Sequence, residues 1–199
     1  VGLASQSERR QSTRAALIAA ARASFVEQGF DATSTDAVLA RAGVSKGALY
    51  HHFASKVDLL AAVFEAVSRE LVAQAQAAMT AEMPAPQGLG LTLKAWLRAV
   101  MDVEPRRIIL ETGPAVLGFA RAREIEEGIA LVPMRRGITR AVEQGLVTCA
   151  DPDLAARLLN ATVYELALAA IQRGLGEGEL ASLDPYIDRV MAALLHPVR

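Results

Sequence analysis

The chain has 199 residues, 52% of them hydrophobic, and a formal net charge of −1 at pH 7. That is enough apolar material for one large or two small packed domains, and it excludes general disorder. The single cysteine, Cys149, excludes an internal disulfide and fits a reducing cytoplasm.

The charge is unevenly divided. Residues 1–56 hold seven Lys/Arg against four Asp/Glu, a balance of +3, and the remainder holds 14 against 18, a balance of −4. The basic end is the one expected to meet an anionic polymer. Glu165 and Arg189 interrupt the longest apolar runs, so no stretch reaches the roughly 18 uninterrupted residues of a membrane span. Val1 to Arg10 is polar and charged with no apolar block behind it, which predicts neither a signal peptide nor an anchor.

In chain order, Val1 to Gln11 reads as a tail whose Arg9 and Arg10 have the reach to touch a phosphate or a minor groove. From Ser12, with Ser12 or Thr13 as cap, Leu17, Ala20, Ala21, Ser24, Phe25 and Gln28 mark one face of a helix that stops at Gly29. Thr33-Ser34-Thr35-Asp36 offers N-cap side chains for a short helix with Val38, Leu39 and Ala42 inward, ended by Gly43. Val44 fills the angle and Ser45 caps a further helix. Its inward residues are Leu49 and Phe53, while Lys46, Gly47, Tyr50 and His51 face outward. Two helices joined by so short a glycine-containing turn form a helix-turn-helix, and donors on the second suit phosphate oxygens and base edges. The same face is also compatible with a plain solvated helix surface.

Ser55 caps a long helix whose apolar face runs from Val57 through Leu71 and Val72 to about Met79. Met83 to Gly90, with two prolines and two glycines, reads as a linker. Leu91 to Val103 and Pro105 to Thr112 are expected helices, with a break at Gly113-Pro114 and another near Gly128 to Pro133. Asp151-Pro152-Asp153 starts a helix that runs to about Arg173, and Asp184-Pro185 starts the last, ending at His196-Pro197. Both carry apolar residues around more of their circumference than one core contact needs, Leu166 and Val190 among them, which predicts a second subunit. The fold expected is all-α with about nine helices. It comprises an N-terminal three-helix helix-turn-helix domain over 1–56, a connecting helix over 57–82, and a C-terminal effector-binding and dimerisation domain over 83–199.

The ordered string Gly43-Val44-Ser45-Lys46-Gly47-Ala48-Leu49-Tyr50-His51-His52-Phe53, followed by Ser55 and Lys56, closely resembles the recognition segment of the tetracycline-repressor (TetR) family of bacterial transcription regulators. Phe25, Gly29-Phe30 and Thr33-Ser34 fit the same pattern, which covers about the first quarter of the chain. Ser24 stands where the family usually has an apolar residue and Leu39 where it has a small one, a pair of departures that reads as repacking. The resemblance implies that Ser45, Lys46, Gly47, Ala48, Tyr50 and His51 approach DNA. It further implies that Thr33, Ser34 and Lys56 hold phosphates. The homodimer expected from the two last helices has a two-fold axis, which makes the expected operator an inverted repeat.

No glycine-rich phosphate loop, nucleophile elbow, paired-histidine motif or Cys-x-x-Cys occurs, and no cofactor or metal is expected. Three readings fit: a repressor released by a small apolar effector, a DNA-binding regulator without an effector, and an α-helical enzyme or carrier. The first predicts a pocket in the C-terminal domain. Trp96, Phe119, Met134, Asn160 and Tyr164 are its candidate lining, although residues of these types more often simply fill a core.

Overall fold

The computed structural model describes residues 6–80 and 82–197, with the side chain of Pro197 excluded. Its helices are α1 (Gln6–Gln28), α2 (Thr35–Ala42), α3 (Lys46–His52), α4 (Lys56–Gln76), α5 (Ala85–Ala99), α6 (Val103–Pro105), α7 (Gly113–Glu126), α8 (Val132–Glu143), α9 (Pro152–Arg173) and α10 (Asp184–Leu194). Wide π-helical turns at Arg106–Thr112 and Glu127–Leu131 join α6 to α7 and α7 to α8, and a 3-10 turn at Glu177–Leu183 precedes α10. The all-α architecture is as expected. Among the described residues the one extended pairing is the antiparallel couple of β1 (Val147–Thr148) and β2 (His196–Pro197).

Two compact units result, residues 1–67 with 107–122 and residues 68–106 with 123–199. In the first, α1 packs on α2 and α3 over a core containing Leu17, Phe25, Val38, Leu49 and Phe53. Ser24 and Leu39, the two departures from the family pattern, are both buried. α1 starts earlier than its caps suggested. Arg9 and Arg10 are helical, and the Thr13 hydroxyl donates back to the Arg9 carbonyl at 2.9 Å. The reading of a tail therefore fails from Gln6 onward, where no glycine or proline interrupts helix formation, and its remainder lies outside the described residues.

In the second unit α5 packs on α8, α9 and α10, and α9 on α8 and α10. Arg98 to Asp184 at 2.8 Å and Lys94 to Asp188 at 2.6 Å tie α5 to α10. α9 alone among the described helices is long and apolar enough, at mean hydropathy 1.4, to cross a membrane by length and composition. Its Ala155, Ala156, Leu159, Val163, Ala167 and Ala170 are buried, as in the core helix of a packed bundle.

Three expected breaks move. The proline-glycine stretch before Leu91 is helical from Ala85: Pro84 is the N-cap and Pro86 lies in the first turn, where a missing N–H costs nothing. Gly88 and Gly90 are buried there, and a Cβ would sit 3.0 Å from the Met79 sulfur and 3.3 Å from the Met191 sulfur respectively. Gly113-Pro114 does not interrupt the chain, since the π turn runs straight into α7. Gly113 is a packing residue whose Cβ would lie 2.3 Å from the Phe64 ring. The kink comes at Gly118 instead, at φ 76° and ψ 158°. Gly128 to Pro133 is likewise bridged by a π turn into α8, with Pro133 in its first turn.

Candidate nucleic-acid interface

Ser34 caps α2 by accepting from the Ala37 N–H at 3.1 Å. Gly43 ends that helix in the left-handed conformation, φ 66°, with its N–H and that of Val44 both donating to the Leu39 carbonyl. Ser45 then caps α3 through the Ala48 N–H at 3.3 Å. These caps turn the chain within three residues. Leu49 and Phe53 go into the core and Lys46, Gly47, Tyr50 and His51 stay exposed, with Ala48 half-buried. Tyr50 keeps 51% of its surface. A Cβ on Gly47 would meet nothing within 4 Å, so packing does not demand the glycine.

At the far end of α3 the His51 and His52 rings meet edge-on at 5.4 Å. Desolvation, then the charges of His51, Arg10 and Arg14, hold the His52 imidazole below its ordinary value, which keeps it neutral at neutral pH. Arg14 lies over the Phe53 ring at 5.4 Å, so α1 brings two arginines to the end of the exposed helix.

Two residues expected at phosphates have partners inside the protein. Thr33 is buried at 1% exposure, and its hydroxyl donates to the Gly29 carbonyl at 2.7 Å and the Ser24 carbonyl at 3.1 Å. The hydroxyl closes the α1–α2 corner, and no phosphate oxygen can reach it. Lys56 points its ammonium at the carbonyls of Phe30, 2.8 Å, and Thr33, 3.0 Å, with the Phe30 ring 4.2 Å beneath. Two of its three donors are spent tying the start of α4 to the same corner. Asp58, in the first turn of α4, accepts from Arg121 and from the Ser55 hydroxyl, and these bonds hold its carboxyl below the usual carboxylate range.

The second unit contains a cavity of about 700 Å3 between the end of α4, α5, α8 and α9. Trp96, Met134 and Asn160 line it. Phe119 does not: it belongs to the first unit and keeps 76% of its surface, because the Gly118 kink turns that part of α7 outward. Tyr164 is absent from the lining too and instead packs against Trp96, ring centroids 5.6 Å apart. Its hydroxyl donates to the Glu126 carboxyl. Burial pushes that carboxyl up against the opposing effects of Tyr164 and Arg123. Lining residues absent from the sequence reading include Met79, Met83, Gly88, Gly137 and Arg140. For the last two a signal existed, since Met134, Gly137, Arg140 and Gln144 share one helical face.

The family model described as "Bacterial regulatory proteins, tetR family" matches residues 17–63, the corner and reading face just described. A second, "Tetracyclin repressor-like, C-terminal domain", matches residues 86–194, more than half of the chain. The chain belongs to the tetR family. It is therefore a DNA-binding transcriptional regulator with a helix-turn-helix domain. A TetR-family regulator from Pectobacterium atrosepticum has the same fold at TM-score 0.80 and 34% identity, covering 98% of this chain and 100% of that one. The TetC protein of transposon Tn10 from Escherichia coli is 26% identical over 83% of both chains. SmeT, the repressor of a multidrug efflux pump of Stenotrophomonas maltophilia, is described in complex with triclosan. That complex aligns at TM-score 0.66 and 28% identity over 93% of this chain and 92% of SmeT.

Proposed function

We propose that this TetR-family protein is a cytoplasmic, non-enzymatic repressor that binds an inverted-repeat operator as a dimer and is released by a small, largely apolar ligand. The observation that carries the proposal is the pairing of an open donor face on α3 with a separate unit holding a cavity of about 700 Å3. Lys46, Tyr50 and His51 reach base edges or phosphates, Gly47 lets a DNA backbone approach, and Ala48 touches a thymine methyl. Ser34 and Ser45 flank the turn where a phosphate would lie. In this reading residues 1–56 form the head, 57–82 the connecting helix, and 83–199 the effector and dimer domain. α4 starts at Lys56, and Val72, Ala75 and Gln76 of its last turns line the cavity.

Support for the dimer comes from α9 and α10. Leu166 and Val190 are half-buried, whereas Leu154, Leu158 and Tyr186 keep 51%, 42% and 51% of their surface. Leucines one helical turn apart on an exposed face form an apolar patch of the kind that marks a protein contact. A two-fold axis through such a face presents two recognition helices to half-sites about one DNA turn apart. SmeT, named as a repressor and seen with triclosan, supports the effector part of the reading.

The direct test is operator selection from a random DNA pool followed by titration of a Lys46→Ala/Tyr50→Ala variant. The expected result is an inverted repeat for the wild type and a loss of roughly 1 to 3 kcal/mol for each base contact removed. Unchanged affinity in a folded double variant would sink the α3 assignment. A Leu158→Glu substitution should shift native mass from two chains toward one and weaken operator binding with it. Intact operator binding by a single chain would rule out the dimer.

A further inference from the structure

The cavity lining is graded. Leu93 and Val163 are buried and Trp96 and Asn160 half-buried, so these form its inner part, while Arg140 and Gln144 are exposed and form its outer part. α8 supplies Met134, Gly137 and Arg140 as consecutive turns of one stripe. Gly137 stands mid-helix, where glycine weakens a helix relative to alanine, and it has no positive φ to require it. A Cβ there would meet nothing within 4 Å, so the fold does not need the glycine and the space it leaves belongs to the cavity.

The lining's polar side chains without a partner among the described residues include Gln76, Thr80, Gln144, Asn160 and Arg140, and of these the pair Asn160 and Arg140 supplies an inner amide and an outer cation. The Asn160 carboxamide makes no hydrogen bond among the described residues, and a half-buried amide beside an apolar wall is incomplete without one. Arg140 has no ion pair among the described residues, and it is the one basic residue of the cavity lining. Glu82, the one acidic residue of the lining, is exposed at the outer part.

We propose that the cavity takes a flat, two-ring aromatic carboxylic acid with a hydroxyl at its far end. The rings lie against the backbone at Gly137 between Trp96 and Met134, the hydroxyl meets Asn160 and the carboxylate meets Arg140. Flatness follows from an indole face and a thioether, both of which favour aromatic partners, beside the bare backbone at Gly137. An acid follows from an unpaired guanidinium fork, which matches a carboxylate bidentately, and Glu82 disfavours a second acidic group. Two rings follow from a volume in the middle of the range for drug-sized ligands. This assignment rests on the effector reading of the second unit.

Calorimetric titration of the full chain with 6-hydroxy-2-naphthoate, its methyl ester and 2-naphthoate tests it. The expected order is the hydroxy acid first, with the ester and the deoxy acid at least about tenfold weaker, a difference of about 1.4 kcal/mol. Arg140→Gln should reduce the acid to the affinity of the ester and leave the ester unchanged. Gly137→Leu should abolish binding of all three with the thermal midpoint equal to the wild type or higher. Equal affinity of acid and ester, no binding of the acid to the folded wild type, or full binding by Gly137→Leu would each overturn the proposal. Operator release is measured separately. An acid that binds in this order and leaves the operator complex intact overturns the effector reading and upholds the site. A neutral aromatic that releases operator where the acid does not bind overturns the site and upholds the effector reading.

Discussion

Thr33 and Ser34 are adjacent hydroxyls with opposite fates. One is sealed in the α1–α2 corner donating to two carbonyls, and the other is exposed and caps α2. Thr33→Val keeps the shape and removes the one hydroxyl proton that the Gly29 and Ser24 carbonyls share, so urea unfolding should show a loss of about 1 to 2 kcal/mol. Thr33→Ser should recover most of it. Lys56→Met removes a charged donor from the same corner and should cost about 1 to 3 kcal/mol, a deficit that persists at salt concentrations that screen phosphate contacts. Glu126 carries a pH prediction. Its carboxyl is raised above 4.5 mainly by burial, so above pH 4.5 the folded chain retains a proton that the unfolded chain has released. Stability therefore falls as pH rises through that window. In Glu126→Gln this fall should be absent: the variant's thermal midpoint, relative to wild type, should climb from pH 4.5 toward neutrality. A constant difference across the range would refute the account.

Among the elements, α7 and the turns around it show how glycine position decides a helix. Gly118 sits at φ 76° and ψ 158°, a region that side chains avoid, so Gly118→Ala should cost about 1 to 3 kcal/mol from the backbone alone. Gly113→Ala acts by a different route at a helical φ: the added methyl overlaps the Phe64 ring and should also cost about 1 to 3 kcal/mol. A second change separates the two: Phe64→Leu relieves the ring's share of the Gly113→Ala cost, leaving the share from the Ile108 carbonyl 2.6 Å away, and does nothing for Gly118→Ala. α9 is fixed at both ends by local chemistry. The Asp151 carboxylate accepts from the Asp153 and Leu154 N–H groups at 3.0 Å each, and Gly174 closes the helix at φ 65°. Asp151→Ala should lower stability by about 0.5 to 2 kcal/mol, read as a shift in the urea midpoint.

At the level of the whole molecule, a net charge of −1 says little about DNA affinity, because the surplus of three positive charges in residues 1–56 is masked by the rest. Counterion release is local, so operator affinity should fall steeply with salt despite the neutral total. The slope of log affinity against log salt discriminates what Lys46 does. If each protomer uses it on a phosphate, Lys46→Ala should flatten the slope by about two per dimer; if it reads a base, affinity drops at every salt concentration with the slope unchanged.

The sequence alone determined whatever is settled within a few residues. A cap within Thr33 to Asp36, Ser45 as the next cap, Gly43 as the stop between α2 and α3, Asp151 before α9, and the outward set Lys46, Gly47, Tyr50 and His51 all follow from capping chemistry and helical periodicity. The same local signals carried the family resemblance. Only the tertiary structure decided the fate of groups whose partners are distant in the chain. Lys56 bonds to carbonyls 26 and 23 residues earlier, and Gly113 is required by Phe64. Gly88 and Gly90 remain helical because methionine side chains cover them, so packing outweighed a composition that reads as a linker. The cavity was legible only in part for the same reason. Trp96, Met134 and Asn160 stand out by residue type, whereas Gly137 and Arg140 acquire meaning from empty space that only the packing of α5, α8 and α9 creates.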